Sequence, residues 1–331
     1  MNWYRNKGNE GDICLSTRVR LARNISQYPF PIRLSPEQKK EVGEKVRDIL
    51  KDEDLKFIDM SSLSQTETVS LAEKHLISPE FACDTSGRSL MLSEEEDVSI
   101  MICEEDHIRI QSVLPGLSLE DAYTLAEKYD KVLGKSLQYA FNEKLGYLTQ
   151  CPTNIGTALR ASVMLHLPAL TKKGAMHRLS TTVAKLGLTL RGSYGEGSEV
   201  SGDIYQLSNQ VTLGISEEAA IKNLNSIAMQ IITQEKQARA SLVKDEDYLD
   251  NISRAYGILK SAYKLTSDEL MRLISYVRVG VSEGIISIPA EKLKELTVTL
   301  QPATLNAQSD KAMTSSERDV LRARKIKEEL I

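Results

Sequence analysis

The sequence has few of the residues that crosslink small secreted proteins. Its 331 residues include four cysteines, at positions 14, 83, 103 and 151, and no two lie within three positions of each other. This spacing excludes a CxxC metal or redox hairpin. A chain of this length can bury a large core without disulfides, and at about 150 residues per domain it predicts about two domains. We expect the cysteines to be reduced.

Long hydrophobic runs and an excess of one charge are also missing. No run of 18 apolar residues occurs, so we expect no membrane span. The first residues, MNWYRNK, contain no apolar core of a signal peptide. These two absences predict a soluble, cytoplasmic protein. Lys and Arg total 42 against 46 Asp and Glu, a net charge of −4, so we expect no nucleic-acid partner.

The common nucleotide-binding motifs are absent as well. Gly134-Lys135-Ser136 matches the end of a P-loop, but Tyr129 stands where its first glycine is required. The glycines of 192–202 are not followed directly by a helix, as a dinucleotide fingerprint requires. The HRD and DFG motifs of protein kinases and the HExxH motif of zinc hydrolases are missing. If the protein binds phosphate, it does so without these loops.

Periodicity divides the chain into a mixed part and a helical part. We predict helices over 36–51, 118–145 and 217–240, with Ser35 and Ser118 as N-caps of the first two. Residues 97–113 predict two strands around an acidic turn. After residue 242 the pattern is helical, with capping boxes that begin at Thr266 and Thr314. We therefore predict an α+β domain over 1–242, an antiparallel sheet flanked by helices, and a small all-helical domain over 243–331.

Arginines are the first candidate ligands for an anion. Arg18 and Arg20 lie in STRVRLARN, and in an extended strand they project from the same face. Two guanidinium groups on one face suit a polyphosphate, because each can bind two oxygens. The alternative is a solvated basic strand edge.

An acidic segment supplies candidate carboxylates. Glu104-Glu105-Asp106-His107-Ile108-Arg109 is flanked by apolar strands. Strand alternation would place Glu105, His107 and Arg109 on one face. Carboxylates beside an arginine would suit a cationic substrate that lies next to an anionic one. The alternative is an acidic hairpin turn.

Two further segments could complete a pocket. Cys151 precedes a proline-containing turn, with Arg160 nine residues later, and could be a pocket thiol or a small buried apolar residue. The segment 191–199 contains Arg191, three glycines and the carboxylates Glu196 and Glu199. This composition is typical of a mobile loop that closes over a ligand, although a plain connection is the alternative.

In order and spacing, these segments resemble the phosphagen (ATP:guanido) kinases. The resemblance rests on STRVRLARN, EEDHIRI, CPTNIGTALRAS and RGSYGEGSE and covers roughly residues 12–240. It implies a fold similar to the catalytic domain of glutamine synthetase and the use of ATP with Mg²⁺, which would arrive with ATP rather than at a metal site of the protein. The implied catalytic residues are Glu105, Glu196 and Cys151. The implied ATP-binding residues are Ser16, Arg18, Arg20, Arg109, Arg160 and Arg191.

Two departures from the family pattern narrow the resemblance. The nucleotide motif begins at Ser16, so the family's N-terminal helical domain is expected to be missing, and a helical C-terminal domain is added. These departures resemble a bacterial branch that phosphorylates arginine side chains of proteins and marks them for Clp-type proteolysis in the stress response. Its RDxxRA motif is matched by residues 318–323, which implies allosteric activation by phosphoarginine. The implied binding residues are Arg318, Asp319, Arg322 and Ala323.

The resemblance also implies partners, and alternatives stay open. The partners are substrate proteins with exposed arginines, a zinc-containing activator protein, a heat-shock repressor and a Clp unfoldase, and we expect a homodimer formed through the helical domain. One alternative function is phosphorylation of free arginine or another small guanidine. Another is a weakly catalytic adaptor that binds phosphoarginine for a protease. Either Glu105 or Glu196 could be the catalytic base.

Overall fold

A twisted sheet of eight antiparallel strands forms the centre of the molecule. The computed structural model describes residues 2–192, 201–309 and 311–330. The strand order is β2-β3-β4-β5-β1-β8-β10-β9, and β6 and β7 form a separate hairpin. The strands are β1 (Cys14–Arg23), β2 (Leu55–Asp59), β3 (Ser89–Ser93), β4 (Val98–Ile102), β5 (Ile108–Pro115), β6 (Phe141–Asn142), β7 (Gly146–Tyr147), β8 (Leu159–His166), β9 (Leu188–Gly192) and β10 (Ile204–Asn209).

Helices pack on both faces of this sheet and continue into the C-terminal part of the chain. They are α1 (Pro36–Ile49), α2 (Gln65–Glu73), α3 (Pro79–Cys83), α4 (Leu119–Ser136), α5 (Pro168–Lys172), α6 (Met176–Ala184), α7 (Glu217–Leu242), α8 (Glu246–Ser261), α9 (Ser267–Ser282), α10 (Ala290–Thr299), α11 (Pro302–Ala307) and α12 (Ser315–Leu330). The predicted α+β class with an antiparallel sheet is confirmed.

Strand alternation gives the sheet one apolar and one polar face. Val19 and Leu21 of β1 and Ile110 of β5 belong to a single buried cluster that includes residues of α1, α4 and α7. Burial of these side chains stabilises the fold by about 25 cal/mol for each Å² of apolar surface. The residues between them in the strands point to the opposite face. There Leu90 of β3 and Met101 of β4 pack against α3, and the arginines of β1 lie in the part of the face that remains for a site.

Several helix starts follow the capping chemistry predicted from the sequence, but Ser118 makes no side-chain capping hydrogen bond at the start of α4. Ser35 and Gln38 form a reciprocal capping box at the start of α1, and Thr314 and Glu317 do the same before α12. Thr266 accepts a hydrogen bond from the backbone N–H of Glu269 at the start of α9. The predicted helices over 36–51 and 217–240 are confirmed as α1 and α7.

The predicted helix over 118–145 is wrong in its last third. α4 ends at Ser136, and the chain then forms the β6–β7 hairpin. The cause is a contact distant in sequence, since the buried guanidinium of Arg23 stacks 3.6 Å from the ring centroid of Tyr147. Arg23 is in turn paired with Asp130 of α4 at 2.7 Å. This cation–π contact holds residues after α4 against β1.

The C-terminal helices pack against the sheet through a continuous core. The apolar cluster of the sheet includes buried residues of α8, α9, α10, α11 and α12. His166 at the end of β8 hydrogen-bonds Ser275 of α9 at 2.9 Å. The predicted boundary near residue 242 coincides with the end of α7, and its status as a domain boundary stays a prediction. Among the described residues, no helix is long and apolar enough to cross a membrane.

Candidate functional site

Arginines from neighbouring strands project from the polar face of the sheet. Arg20 of β1 lies directly opposite Arg160 of β8 in the antiparallel register, and Arg18 projects from the same face two residues earlier, as predicted. Gln206 of β10 accepts a hydrogen bond from Nη2 of Arg18 at 2.8 Å and lies opposite Arg191 of β9. The pairing therefore places these arginines on one face.

This face is the floor of a cleft of about 1220 Å³. Arg18, Arg20 and Arg109 line the floor, while α2 and residues 75–80 form one wall. A smaller recess continues from the cleft and is lined by Glu105, Arg109 and Arg160. A positively charged floor in a concave site of this size suits an anionic ligand.

Arg18 and Arg20 are less well compensated than Arg109, which pairs with Glu104. Burial, together with the neighbouring Arg109, lowers the pKa of Arg18 to about 10. Burial lowers the pKa of Arg20 well below its ordinary value, and Arg18 and Arg109 lower it further. Nε of Arg20 is buried and has no hydrogen-bond partner among the described residues. Both side chains reach solvent only through the cleft, so an anion bound there would supply the missing charge and acceptors.

Glu104 holds Arg109 in place. Nη1 of Arg109 lies 2.5 Å from Oε1 of Glu104, which also accepts a hydrogen bond from the hydroxyl of Ser78 at 2.6 Å. Burial raises the pKa of Glu104, but Arg109, the Ser78 hydroxyl and the backbone N–H of Glu105 outweigh it, so the net pKa is lowered. Glu104 is therefore a structural anion, a role that the sequence analysis did not assign.

Glu105 has the electrostatics of a proton acceptor. Burial raises its pKa, and the carboxylates of Asp106 and Glu104 raise it further. Arg109 and a hydrogen bond from the thiol of Cys151 oppose this effect without cancelling it. A carboxylate whose pKa is moved toward neutral pH is a better general base than an ordinary glutamate.

The segment that carries Cys151 is fixed to the arginine floor. Arg160 donates hydrogen bonds to Oδ1 of Asn154 and to the carbonyl of Thr153, each at 3.0 Å. The Thr153 hydroxyl lies 3.1 Å from Sγ of Cys151. Cys151 is half-buried, beside the Glu105 carboxylate. A thiol and a carboxylate side by side next to an anion site suit a guanidinium group.

Asp106 joins the acidic loop to the Cys151 segment. Its Oδ1 accepts hydrogen bonds from Nδ2 of Asn24 at 2.6 Å and from the backbone N–H of Gln150 at 2.8 Å. Burial raises the pKa of this carboxyl group. Asn24 also accepts a hydrogen bond from the backbone N–H of His107 at 3.0 Å. This network sets the position of Glu105 relative to Cys151.

The expectation that His107 shares a face with Glu105 and Arg109 is wrong. β5 begins only at Ile108, so strand alternation does not apply to the preceding loop. The His107 ring is fully buried, and its Nδ1 accepts a hydrogen bond from the backbone N–H of Ile25 at 3.0 Å. Burial lowers its pKa, so this histidine is a neutral structural group.

Two other predicted site residues, Ser16 and Arg191, do not line the cleft. Ser16 is buried at the start of β1 and lines a smaller cavity toward α9 and α10. Arg191 is exposed on the edge strand β9, on the face of Gln206. Glu196 lies outside the described residues. The functional roles of these residues stay predictions.

The RDxxRA segment lies on α12, and none of residues 318–323 lines the cleft. Arg322 is 1% exposed and donates hydrogen bonds to the carbonyls of Leu300 and Leu265 at 3.0 and 2.7 Å. It also pairs with Oδ1 of Asp319 at 2.6 Å. Ala323 is buried as well, whereas Arg318 is half-exposed and donates to the carbonyl of Met313 at 2.8 Å. The predicted phosphoarginine site stays a prediction.

Several residues of the cleft were not predicted from the sequence. His75 lines the wall above Arg18, and burial lowers its pKa to about 4, with Arg18 adding to the effect. Gln206 and Gln301 also line the cleft. Asn154 lies within the CPTN segment quoted above, but its contact with Arg160 depends on how the segment folds. Among the described residues, no group of three or more His, Cys, Asp or Glu side chains could hold a metal ion.

Comparison with known proteins agrees with this arrangement. Residues 37–238 match the family model "ATP:guanido phosphotransferase, C-terminal catalytic domain". Residues 245–331 match the model "Protein-arginine kinase McsB C-terminal domain". Among solved structures, lombricine kinase superposes with a TM-score of 0.61 at 24% identity, covering 71% of this chain and 69% of that one. A duplicated taurocyamine kinase from Schistosoma mansoni gives 0.61 at 26% identity, covering 80% and 41%.

Curated relatives match over almost the whole chain. A protein-arginine kinase of Halothermothrix orenii is 45% identical over 99% of this chain and 96% of its own length. One of Pelotomaculum thermopropionicum is 46% identical, with coverage of 99% and 95%. Identity at this level over the full length establishes the family. The chain belongs to the ATP:guanido phosphotransferase family and, within it, to the protein-arginine kinases.

Proposed function

We propose that this protein transfers the γ-phosphoryl group of ATP to arginine side chains of proteins. The proposal rests on one observation: a site suited to an anion and a site suited to a cation lie next to each other in one cleft. The arginine floor, in which Nε of Arg20 has no partner among the described residues, suits a polyphosphate. Beside it the Glu105 carboxylate and the Cys151 thiol suit a guanidinium group. The full-length relatives named protein-arginine kinase support the choice of a protein acceptor.

The arginines act on the phosphate side of the reaction. Arg18, Arg20 and Arg109 bind phosphate oxygens of ATP, and Arg160 and Arg191 extend the same face toward the transferring group. Fixed guanidinium groups stabilise the charge that develops on the γ-phosphoryl group without reorganising during the reaction. Mg²⁺ carried by ATP would neutralise charge on the phosphates.

Glu105 acts on the acceptor side. The guanidinium of arginine has a pKa above about 12, so its nitrogens are poor nucleophiles until a proton leaves. Glu105 accepts hydrogen bonds from the guanidinium and aligns one nitrogen with the γ-phosphorus. As the N–P bond forms and the bond from phosphorus to the ADP oxygen breaks, the proton from that nitrogen passes to Glu105. Cys151 helps to position the guanidinium, and Glu196 is the second carboxylate in this proposal.

The proposal extends to regulation and fate of the product. Free phosphoarginine activates the enzyme by binding at Arg318, Asp319, Arg322 and Ala323. Phosphorylated proteins pass to a Clp-type protease. A zinc-containing activator, a heat-shock repressor as substrate, and dimerisation through the helical part belong to the same proposal. The buried pairing of Arg322 with Asp319 means that phosphoarginine must compete with existing partners of Arg322 or bind at the exposed side of Asp319 and Arg318.

One assay separates the proposed function from its alternatives. The protein is incubated with ATP labelled at the γ-phosphate and with an unfolded basic protein, free arginine or no acceptor. Acid-labile label on the protein acceptor is the expected result. Label on free arginine alone would indicate a small-molecule kinase, and no label with either acceptor would indicate a binding protein.

A further inference from the structure

A short loop between β1 and α1 presents apolar side chains at the edge of the cleft. Residues 28–33 have the sequence YPFPIR. The side chains of Phe30 and Ile32 are 37% and 79% exposed. Isolated exposed apolar residues are common on protein surfaces, but these two share one loop, and Ile32 lines the cleft of the proposed reaction.

The backbone of the loop is restrained by its prolines and by hydrogen bonds. Pro29 and Pro31 fix their own φ angles, and Pro31 is buried. The backbone N–H of Arg33 donates to the carbonyl of Phe30 at 2.8 Å, which closes a 3₁₀ turn. The His107 ring lies 2.9 Å from the carbonyl of Pro29. A surface that is already ordered loses little conformational entropy when a partner binds.

The loop is joined to the acceptor end of the cleft. The backbone N–H of Ile32 donates a hydrogen bond to Oε1 of Gln150 at 3.3 Å, and Gln150 directly precedes Cys151. Ile32, Gln150 and Glu105 line the same cleft. A polypeptide whose arginine reaches Glu105 from this edge therefore lies next to Ile32.

We propose that Phe30 and Ile32 form an apolar docking surface for residues that flank the target arginine in a polypeptide acceptor. The occupant is an apolar side chain of an extended segment, within one or two residues of the arginine. This inference rests on the proposed function and specifies its substrate class. It favours arginines next to apolar residues, which unfolded proteins expose and folded proteins bury. Burying the exposed part of Ile32 against such a side chain supplies the preference.

The test compares two peptides that differ only beside the arginine. One has Leu-Arg-Leu and the other Gly-Arg-Gly in the same polar sequence, and kcat/KM is measured for each with the full chain. We expect the leucine peptide to react about 10-fold better. In Ile32→Ser this preference should fall to within about 2-fold, with the KM for ATP and the reaction of the glycine peptide unchanged. Ile32→Leu should keep the preference.

Ile285→Ser is the matched control, because Ile285 is 45% exposed and lies between α9 and α10. It should leave the preference intact. Equal kcat/KM for both peptides in the wild-type protein, or an unchanged preference in Ile32→Ser, would overturn the docking surface while arginine phosphorylation stands. Dissociation of an oligomer by Ile32→Ser would overturn it in favour of a contact between copies of this chain. Absence of phosphoarginine on either peptide would instead count against the proposed function.

Discussion

Arg20 and Arg160 lie directly opposite each other on β1 and β8. Like charges in this position destabilise a sheet, and burial lowers the pKa of both guanidinium groups. Arg160 compensates through the carbonyls of Thr153 and Asn209, whereas Nε of Arg20 has no partner among the described residues. This arrangement lowers the stability of the ligand-free protein and favours the binding of an anion.

The repulsion between Arg20 and Arg160 predicts how Arg20→Leu changes stability and ATP binding. Without nucleotide the variant should be as stable as the wild-type protein or more so, because a like-charge contact is removed. ATP at 100 times its Kd should stabilise the wild-type protein by about 2.7 kcal/mol, and the variant should bind at least about 10-fold more weakly, a loss of about 1.4 kcal/mol. Thermal unfolding with and without ATP measures both effects. Arg254→Leu, at an exposed position of α8, is the control, and equal ATP stabilisation in Arg20→Leu would contradict the account.

Glu105→Gln removes the proposed proton acceptor while keeping its size. Phosphoryl transfer should be lost, because general-base catalysis contributes roughly 10²- to 10⁴-fold and the guanidinium also loses a charged partner. ATP binding should persist, since Glu105 lies on the acceptor side. Turnover and nucleotide affinity are measured in parallel with Glu143→Gln, an exposed substitution on the β6–β7 turn. Turnover near the wild-type rate in Glu105→Gln would remove the residue from this role.

The raised pKa of Glu105 sets the acid limb of the pH profile. The base works when it is deprotonated, so kcat/KM should fall as the pH drops through the pKa of Glu105. Because burial and the neighbouring carboxylates raise that pKa, the fall should begin at a higher pH than for an ordinary glutamate. Rates between about pH 4 and 8, at constant ionic strength, test this. A profile flat down to the ordinary glutamate pKa near 4.3 would contradict it.

Asp106 should act through geometry and through charge, and two substitutions separate these effects. Asp106→Leu leaves the N–H groups of Asn24 and Gln150 without their acceptor, so it should raise the KM for the acceptor and lower kcat by up to about 100-fold while the KM for ATP is kept. Asp106→Asn keeps an acceptor oxygen and should restore most of the activity. It removes a charge that raises the pKa of Glu105, so the acid limb should move to lower pH.

The control for this pair is Asp97→Leu at the other end of β4, where Asp97 accepts a hydrogen bond from Ser93 at 2.7 Å. It should leave the KM for the acceptor unchanged. Equal losses in the two Asp106 variants, with an unmoved pH profile, would show that Asp106 matters only for folding.

Asp319→Ala should remove activation by phosphoarginine and spare basal catalysis. Arg322 keeps its hydrogen bonds to the carbonyls of Leu300 and Leu265, so α12 should stay docked. Initial rates with and without free phosphoarginine provide the measurement, and Glu328→Ala, at an exposed position of the same helix, serves as the control. Equal activation in Asp319→Ala would argue against the site.

Local patterns explain why much of the fold could be predicted. The capping boxes at Ser35 and Thr314 involve residues three positions apart, and the shared face of Arg18 and Arg20 follows from strand geometry alone. The prediction of a helix over the whole of 118–145 was wrong because the stacking of Tyr147 on Arg23 joins segments more than 100 residues apart. Nothing in the local pattern of residues 137–145 reports that contact.

The functional site could likewise be predicted only where it depends on local sequence. The sequence showed which residue types the acidic segment contains, but it did not show the role that each residue plays. Glu104 neutralises Arg109, and His107 faces the core because a loop replaces the expected strand there. Gln206 joins the site only through pairing of β10 with β8 and β9. Such partners depend on register between distant strands, which the sequence of each strand does not specify.

The most direct test of the central claim is to locate the transferred phosphoryl group. An unfolded, arginine-containing protein is incubated with ATP and the wild-type chain under neutral conditions, and the product is analysed by ³¹P NMR and by mass spectrometry that preserves N–P bonds. The account predicts a phosphoramidate on arginine side chains that disappears with Glu105→Gln. Phosphate only on serine, threonine or tyrosine, or no transfer to the protein, would contradict it.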